Sequence, residues 1–183
     1  MNGHICHKPE TFPREKFHQL GVGNGKKVLI IGESPAPKGW VVSGKACYRP
    51  DGKILPTGKR LNEVLEPFKM SVETTGFTEL VKCFVSKRSE LKDCSSKCWK
   101  ILLDQLKDGE YKLLIILGVH TTSLFSKLIE EDLEVGQISS LTLNKQTYKV
   151  LPIFHPSPVN PTGHKKNIKL FKELEKEIKL ILK

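Results

Sequence analysis

The sequence predicts a single α/β domain over residues 1–183, in which helices cover both faces of a central, mainly parallel sheet of four strands. Three observations predict this three-layer α/β/α architecture. Four short apolar runs follow one another along the chain. Segments with helical periodicity separate them, and such alternation is typical of parallel sheets covered on both sides. The length of 183 residues, without internal repeats or long linkers, suits one domain.

The four apolar runs have the length of strands. The second and third are nearly continuous in apolar residues, as expected of strands that are buried on both faces. The runs are KVLIIG (27–32), GFTELVKC (76–83), KLLIILG (112–118) and YKVLPIFHP (148–156).

Helices are predicted between and after these strands. The segment 93–107 has Asp93 as a candidate N-cap, and 120–131 begins with threonine and serine residues suited to capping. The segment 167–183 is amphipathic and carries glutamate–lysine pairs at helical spacing. In 57–68 and 93–107, the residues expected to form a buried face are Leu61, Val64, Leu65, Phe68, Cys94, Cys98, Ile101, Leu102 and Gln105.

The chain is strongly basic. Thirty lysine and arginine residues against twenty acidic ones give a net charge of +10, which attracts polyanions, and nucleic acid is the commonest of these in cells. Lysine enrichment for solubility is the alternative. No run approaches the roughly 18 apolar residues of a membrane span. The N-terminus lacks a secretory signal, so we expect a cytoplasmic protein, and its five cysteines then argue against a disulfide framework.

The loops after the predicted strands hold the candidate functional residues, because ligands bind at the carboxyl ends of parallel strands. After the first strand, Gly32 allows a sharp turn, while Pro35 and Pro37 fix φ. Glu33 and Ser34 are thereby presented on a stiff backbone. A carboxylate there can orient a water molecule or bind a ligand donor. The alternative is that Glu33 only binds nearby backbone amides.

The loop after the fourth strand, HPSPVNP, places a histidine between the strand and a run of prolines. The imidazole of His155 can donate a hydrogen bond to an oxyanion that develops during a reaction. Ser157 and the loop amides can hold a phosphate. The alternative is a structural histidine that only binds its neighbours in the fold.

Taken in order, LIIGESPAP, FTELVKC, LLIILG and HPSPVNP resemble the motifs of the uracil-DNA glycosylase superfamily, and most closely those of its family 4, the iron–sulfur branch. The resemblance implies a monofunctional DNA glycosylase of base excision repair, which we expect to be monomeric. The expected partner is DNA that contains a deaminated base. The resemblance implies that the enzyme flips that base out and hydrolyses its N-glycosidic bond. Uracil is the default substrate, with hypoxanthine and xanthine as alternatives.

The resemblance also implies roles for individual residues. Glu33 falls close to the attacking water, and Ser34 falls where relatives place the residue that activates or positions it. His155 falls where a histidine binds O2 of the departing base, and Gly32 and Pro35 fall in the wall that binds the base. The segment up to residue 167 falls where relatives enter the minor groove and hold phosphates. Its expected DNA contacts are Ser157, Pro158, Asn160, Lys165 and Lys166.

Glu79 departs from the family pattern at the position where the base is read. Family 4 has an asparagine there whose amide reads uracil, whereas a carboxylate only accepts hydrogen bonds unless it is protonated. Glu79 and Glu33 could share a proton as a coupled pair; otherwise Glu79 points elsewhere or pairs with Lys82 or Arg88. The substitution supports a second hypothesis, a nucleic-acid-binding member of the fold with weak or no catalysis. A nucleotide or small-metabolite enzyme on a flavodoxin-like sheet is the third.

The stacking residue and the cysteines also depart from the pattern. Relatives stack the base on a phenylalanine, for which the candidates here are Tyr48 and, second, Trp40. The iron–sulfur branch uses an N-terminal cysteine pair, of which this chain has one member. Cys94 could supply the missing thiolate of a structural [4Fe–4S] cluster; alternatively the thiols are relics of a lost cluster, and Cys47 stands outside the group. The four expected ligands are Cys6, Cys83, Cys94 and Cys98.

Overall fold

The computed structural model describes residues 4–183, and within them one sheet of six strands. The four central strands run parallel to one another, in the order β3-β2-β4-β6. They are the four strands that the sequence predicts, and they confirm the α/β class. The strands are β1 (His18–Gln19), β2 (Val28–Gly32), β3 (Gly76–Glu79), β4 (Leu113–Leu117), β5 (Ser139–Leu143) and β6 (Gln146–Ile153).

Two antiparallel edge strands extend the sheet beyond the predicted count of four. At one edge, β1 pairs with β3 but has only two residues, too few for a periodic signal. At the other edge, β5 pairs with β6 through a tight hairpin. Its turn residues Asn144 and Lys145 have φ of 50° and 68°, as a type I′ turn requires. Only Leu141 of β5 is buried, so that strand carries little hydrophobic pattern.

Helices pack on both faces of the sheet, which confirms the three predicted layers. In β2, Leu29 and Ile31 face α3 and α4, whereas Val28 and Ile30 face the other helices. All residues predicted to form the buried faces of segments 57–68 and 93–107 are buried. Phe68, however, lies in a 3-10 turn after α2, which ends at Leu65. Within residues 4–183, no helix combines the length and the apolar character that crossing a bilayer requires. The helices of this part of the chain are α1 (Trp40–Ser43), α2 (Pro56–Leu65), α3 (Leu91–Gln105), α4 (Val119–Ile129), α5 (Pro161–Glu173) and α6 (Glu175–Ile181).

Several helix ends differ from the prediction. Because α3 begins earlier than predicted, Asp93 lies in its first turn and is not its N-cap, although its charge still suits the helix dipole there. The N-cap of α4 is Gly118, and no side chain caps that helix. The segment 167–183 belongs to two helices separated at Leu174, and the first of them already begins at Pro161, capped by the side chain of Asn160.

Candidate active site

A cavity of about 520 Å³ opens at the carboxyl ends of the parallel strands. The loops after β2, β4 and β6 line it, together with Glu79 at the end of β3. Ligands bind at this place in open α/β sheets, and the volume lies in the usual range of small-molecule sites. The structure therefore brings Glu33, Ser34, Glu79 and His155 to one cavity from three separate motifs. Pro35 is buried in the same loop but is not one of the lining residues.

A histidine that the sequence analysis did not single out holds the carboxylate of Glu33. Nδ1 of His120 lies 2.5 Å from Oε2 of Glu33, and both side chains are partly exposed to the cavity. His120 follows the glycine that caps α4, so the start of that helix aims its ring at the loop after β2. This short hydrogen bond fixes the direction of the Glu33 carboxyl group. The signal in the sequence was its place two residues after Gly118, the glycine that ends the predicted third strand.

The backbone next to His155 is fixed on two sides. The side chain of Asn167 in α5 pairs with both backbone groups of Phe154: Oδ1 accepts from the amide at 3.0 Å, and Nδ2 donates to the carbonyl at 2.7 Å. On the other side, Gly118 has φ of 96°, and a Cβ built there would lie 3.2 Å from Cβ of His155. A side chain at Gly118 would crowd the histidine, so glycine is required both by its φ and by this close approach.

The imidazole of His155 is exposed at the cavity but remains surrounded by many protein atoms. This partial loss of water lowers the pKa of His155, and the negative charge of Glu33 opposes the shift. A lowered pKa favours the neutral ring at pH 7. A neutral imidazole carries one N–H, which can donate to an oxygen in the cavity.

The carboxyl group of Glu79 is buried against the backbone of β2. The side chain is 8% exposed, and Oε2 has no hydrogen-bond partner among the described residues. Burial raises the pKa of Glu79 to about 8; the charge of Lys82 opposes the shift, and that of Glu33 adds to it. A pKa near 8 favours the protonated form of Glu79 at pH 7, and the hypothesis that Glu79 and Glu33 share a proton stays a prediction.

Lys82 does not form an ion pair with the carboxylate of Glu79. Its ammonium donates instead to Oγ1 of Thr78 at 2.7 Å, to Oε1 of Gln105 at 2.6 Å and to the backbone carbonyl of Glu79. Three acceptors satisfy its three protons without a second charge, and burial lowers the pKa of Lys82 to about 7. Arg88 lines the cavity, and no ion pair joins it to Glu79 within residues 4–183.

The two candidate stacking aromatics occupy different places. Trp40 lines the cavity beside Phe77, and their ring centroids lie 5.6 Å apart in an edge-to-face arrangement. Tyr48 lies outside the lining, where its hydroxyl donates to Glu73 at 2.8 Å and Nζ of Lys45 stands 4.0 Å from its ring centroid. The cavity therefore offers the face or edge of Trp40, but not of Tyr48, to a planar ligand.

The loop after β6 and the start of α5 form the rim of the cavity. Ser157, Val159 and Asn160 line it, and Val159 is 92% exposed at the tip. The Arg60 guanidinium donates to the carbonyl of Ser157 at 2.5 Å and so ties the loop to α2. Lys165 and Lys166 were expected in this loop but lie in α5, where both are exposed. Pro158 is also exposed at the rim.

The four cysteines expected to bind a cluster gather against α3, outside the cavity. Sγ of Cys6 lies 3.5 Å from Sγ of Cys94, and Sγ of Cys98 accepts the backbone amide of Lys82 at 3.4 Å. A residue not considered from the sequence joins them: Nδ1 of His4 lies 3.2 Å from Sγ of Cys83. One donor atom each from His4, Cys6 and Cys94 lie within 4.8 Å of one another, so this group is compatible with a metal ion.

Burial favours the protonated form of three of these thiols, those of Cys83, Cys94 and Cys98. It raises the pKa of Cys83 to about 11 and raises that of Cys94 and Cys98 as well, and charge on neighbouring thiols adds to the shifts. Metal ligands must be thiolates, so a bound cation would have to supply the compensating charge. Cys47 stands apart from this group, as predicted, and lines the cavity, where burial raises its pKa to about 12.

Comparison with known proteins gives one family. The family model of the uracil DNA glycosylase superfamily matches residues 20–179. A search of curated proteins returned no significant match. The matched range contains all four parallel strands and every loop that lines the cavity. The chain therefore belongs to the uracil DNA glycosylase superfamily.

Proposed function

We propose that this protein is a monomeric, monofunctional DNA glycosylase that hydrolyses the N-glycosidic bond of a flipped-out deaminated base. Uracil is the expected substrate, with hypoxanthine and xanthine as related ones. The superfamily in general comprises DNA glycosylases. One observation carries the proposal: Glu33, Glu79 and His155 converge on a cavity of suitable size for one base.

Glu33 is the residue that we assign to the water nucleophile. Its carboxylate lines the cavity and is held in direction by His120. In the reaction, the water oxygen bonds to C1′ of the sugar and the C1′–N bond breaks, with its electron pair leaving on the base. The carboxylate accepts a proton from the water. The Ser34 hydroxyl lines the same wall and can bind the same water.

We assign to His155 the role of hydrogen-bond donor to the departing base. Negative charge grows on the base as the bond to C1′ breaks, and a neutral imidazole can donate its N–H to a base oxygen that gains this charge. A donor that is already aimed at the developing charge lowers the barrier without reorganisation. The pairing of Asn167 with Phe154 and the crowding at Gly118 hold the ring ready for that role.

We assign to Glu79 the recognition of the base through hydrogen bonds to its edge. A protonated carboxyl offers one O–H donor and one C=O acceptor, the same pair that an asparagine amide offers. Uracil presents a ring N–H beside a carbonyl, and so do hypoxanthine and xanthine. An ionised carboxylate would leave that carbonyl without a donor. Glu79 can therefore replace the asparagine of family 4 while it keeps its proton.

A carboxyl group differs from an amide in one respect that bears on specificity. Its proton can sit on either oxygen, so donor and acceptor can exchange places. Cytosine presents an amino donor beside a ring acceptor, the reverse of uracil. A protonated Glu79 can pair with both patterns, and cytosine is therefore the decisive control substrate for this site.

The rim of the cavity supports binding to DNA. The exposed apolar side chain of Val159 stands beside the cavity, where it can fill the gap that a flipped base leaves. Lys165 and Lys166 are exposed on α5 next to this loop, where they suit phosphate contacts. Trp40 takes the place that the sequence analysis first gave to Tyr48 as the aromatic neighbour of the base.

The test is a single-turnover excision assay on labelled oligonucleotides. Each carries one uracil, hypoxanthine, xanthine or unmodified cytosine, in single-stranded and duplex form, and alkali reveals the abasic product. We expect excision of at least one deaminated base and none with Glu33→Gln. DNA binding without excision of any base would instead support the non-catalytic nucleic-acid-binding hypothesis. Failure to bind DNA at moderate ionic strength would favour a small-molecule enzyme.

A further inference from the structure

The metal-compatible group beside α3 differs from the four-cysteine set that an iron–sulfur cluster would need. From the donor atoms of His4, Cys6 and Cys94, and from the sulfur of Cys83 beside the His4 ring, we infer that the protein binds a single zinc ion through these four residues. The ion would join the N-terminal segment, the chain just beyond β3 and the first turn of α3.

The donor atoms of His4, Cys6 and Cys94 lie within 4.8 Å of one another, as one shared ion requires. Tetrahedral zinc with Zn–S near 2.3 Å and Zn–N near 2.0–2.1 Å places its ligand atoms about 3.3–3.8 Å from one another. The Cys6–Cys94 separation is 3.5 Å, and the His4–Cys83 separation is 3.2 Å. In a [4Fe–4S] cluster each thiolate binds a different iron atom, so iron and sulfide lie between the thiolates. The contact between the sulfurs of Cys6 and Cys94 suits one shared ion better than two different iron atoms.

The two ring nitrogens of His4 have the neighbours expected of a zinc-bound histidine. Its Nδ1 faces the thiols, and its Nε2 lies 3.6 Å from Oε2 of Glu90, just before α3. Histidine ligands commonly give their second ring nitrogen to a carboxylate, which fixes the ring and raises its basicity. This carboxylate would have no such role beside a cluster held by cysteines alone.

The burial of the thiols fits a structural site and not a catalytic one. Cys6 is 2% exposed and Cys94 is fully buried, so little room remains for a water ligand. Structural zinc sites are closed in this way, with four protein ligands drawn from cysteine and histidine. Cys98 is left outside the set, because it is not part of the group of mutually close donor atoms; its sulfur accepts the backbone amide of Lys82 instead.

Metal analysis of the full-length protein tests the inference without reference to glycosylase activity. Protein purified anaerobically should contain about one zinc per chain and no acid-labile sulfide. Replacing zinc by cobalt should produce the visible absorption of tetrahedral Co²⁺ bound to thiolates. His4→Ala and Cys94→Ser should each abolish stoichiometric zinc, and Glu90→Gln should weaken zinc binding by about 10-fold to 100-fold.

Cys98→Ser is the matched control that separates the two kinds of metal site. The zinc site should keep its full metal content in this variant, whereas a four-cysteine cluster would lose a ligand. Brown protein that contains iron and labile sulfide, loses them in Cys98→Ser and keeps them in His4→Ala would overturn the inference. Wild-type protein that binds no zinc after unfolding and refolding with zinc sulfate would overturn it as well.

Discussion

The carboxyl group of Glu79 lies directly against the Cα atom of Gly32, the last residue of the neighbouring strand. A Cβ atom built at Gly32 would collide with that carboxyl group, and the three atoms nearest to it all belong to Glu79. The two residues are paired in the register of β2 and β3. Glycine at the end of β2 is therefore what leaves space for an acid at the cavity wall.

Gly32→Ala should displace the carboxyl of Glu79 and little else. The φ of Gly32 is accessible to alanine, so the expected loss of about 1–3 kcal/mol in unfolding free energy comes from the collision. In a Glu79→Ala background, the same change at Gly32 should cost much less. Denaturant unfolding of the four proteins in this double-mutant cycle measures the coupling. Equal costs in both backgrounds would show that the two side chains do not compete for this space.

Excision of uracil should decline as the pH rises through about 8, because Glu79 then loses the proton that it donates. Glu79→Gln keeps a donor and an acceptor of the same size but does not titrate, so its single-turnover rate should hold steady where that of the wild type falls. The comparison is made with the same uracil oligonucleotide from pH 6 to about 9. Parallel profiles for the two proteins would assign the decline to another group.

The proton on Glu79 should also make the free energy of unfolding depend on pH. Burial raises the pKa of Glu79 from 4.5 to about 8, so between these values the folded chain holds a proton that the unfolded chain has released. Unfolding then becomes easier as pH rises, by up to about 1.4 kcal/mol per pH unit. Glu79→Gln lacks this dependence. Its free energy of unfolding should therefore rise relative to that of the wild type between about pH 5 and 7. Urea unfolding at fixed ionic strength checks the difference, which would stay constant if Glu79 were ionised throughout.

The centre of the sheet could be predicted because β2 and β4 have a strong local signal. β2 and β4 are buried along their whole length, so every residue in them is apolar. The edge strand β5 buries only Leu141 and is held by a hairpin turn, so its hydrophobic pattern is weak. Helix ends depended on tertiary contacts, which is why the acid at Asp93 could not be identified as a first-turn residue.

The candidate site was predictable in its motifs but not in the partners that hold them. The loops with Glu33 and His155 could be placed together, since parallel strands bring their carboxyl ends to one edge. His120 and Asn167 were missed because each acts on a residue more than ten positions away through a side-chain bond. The protonation of Glu79 also depends on burial that sequence does not reveal.

His120→Ala should lower the excision rate by about 10-fold while DNA affinity stays unchanged. Without the ring, the Glu33 carboxylate loses a strong hydrogen bond and samples directions that do not orient the water. His120→Asn keeps an N–H donor at this position and should recover part of the rate. Single-turnover rates at saturating protein are compared with binding titrations. A loss of affinity at an unchanged rate would mean that His120 contacts DNA instead.

His155→Ala should lower the excision rate by about 100-fold or more, by analogy with the loss of a preorganised donor to an oxyanion. The ring is exposed at the cavity, so the free energy of unfolding should change little. His155→Asn retains an N–H donor and should lie between the alanine variant and the wild type. Rates are measured in a single turnover with the best substrate, and circular dichroism melts serve as the folding control. An unchanged rate in the folded alanine variant would remove His155 from the reaction and leave Glu33 and Glu79 as the acting groups.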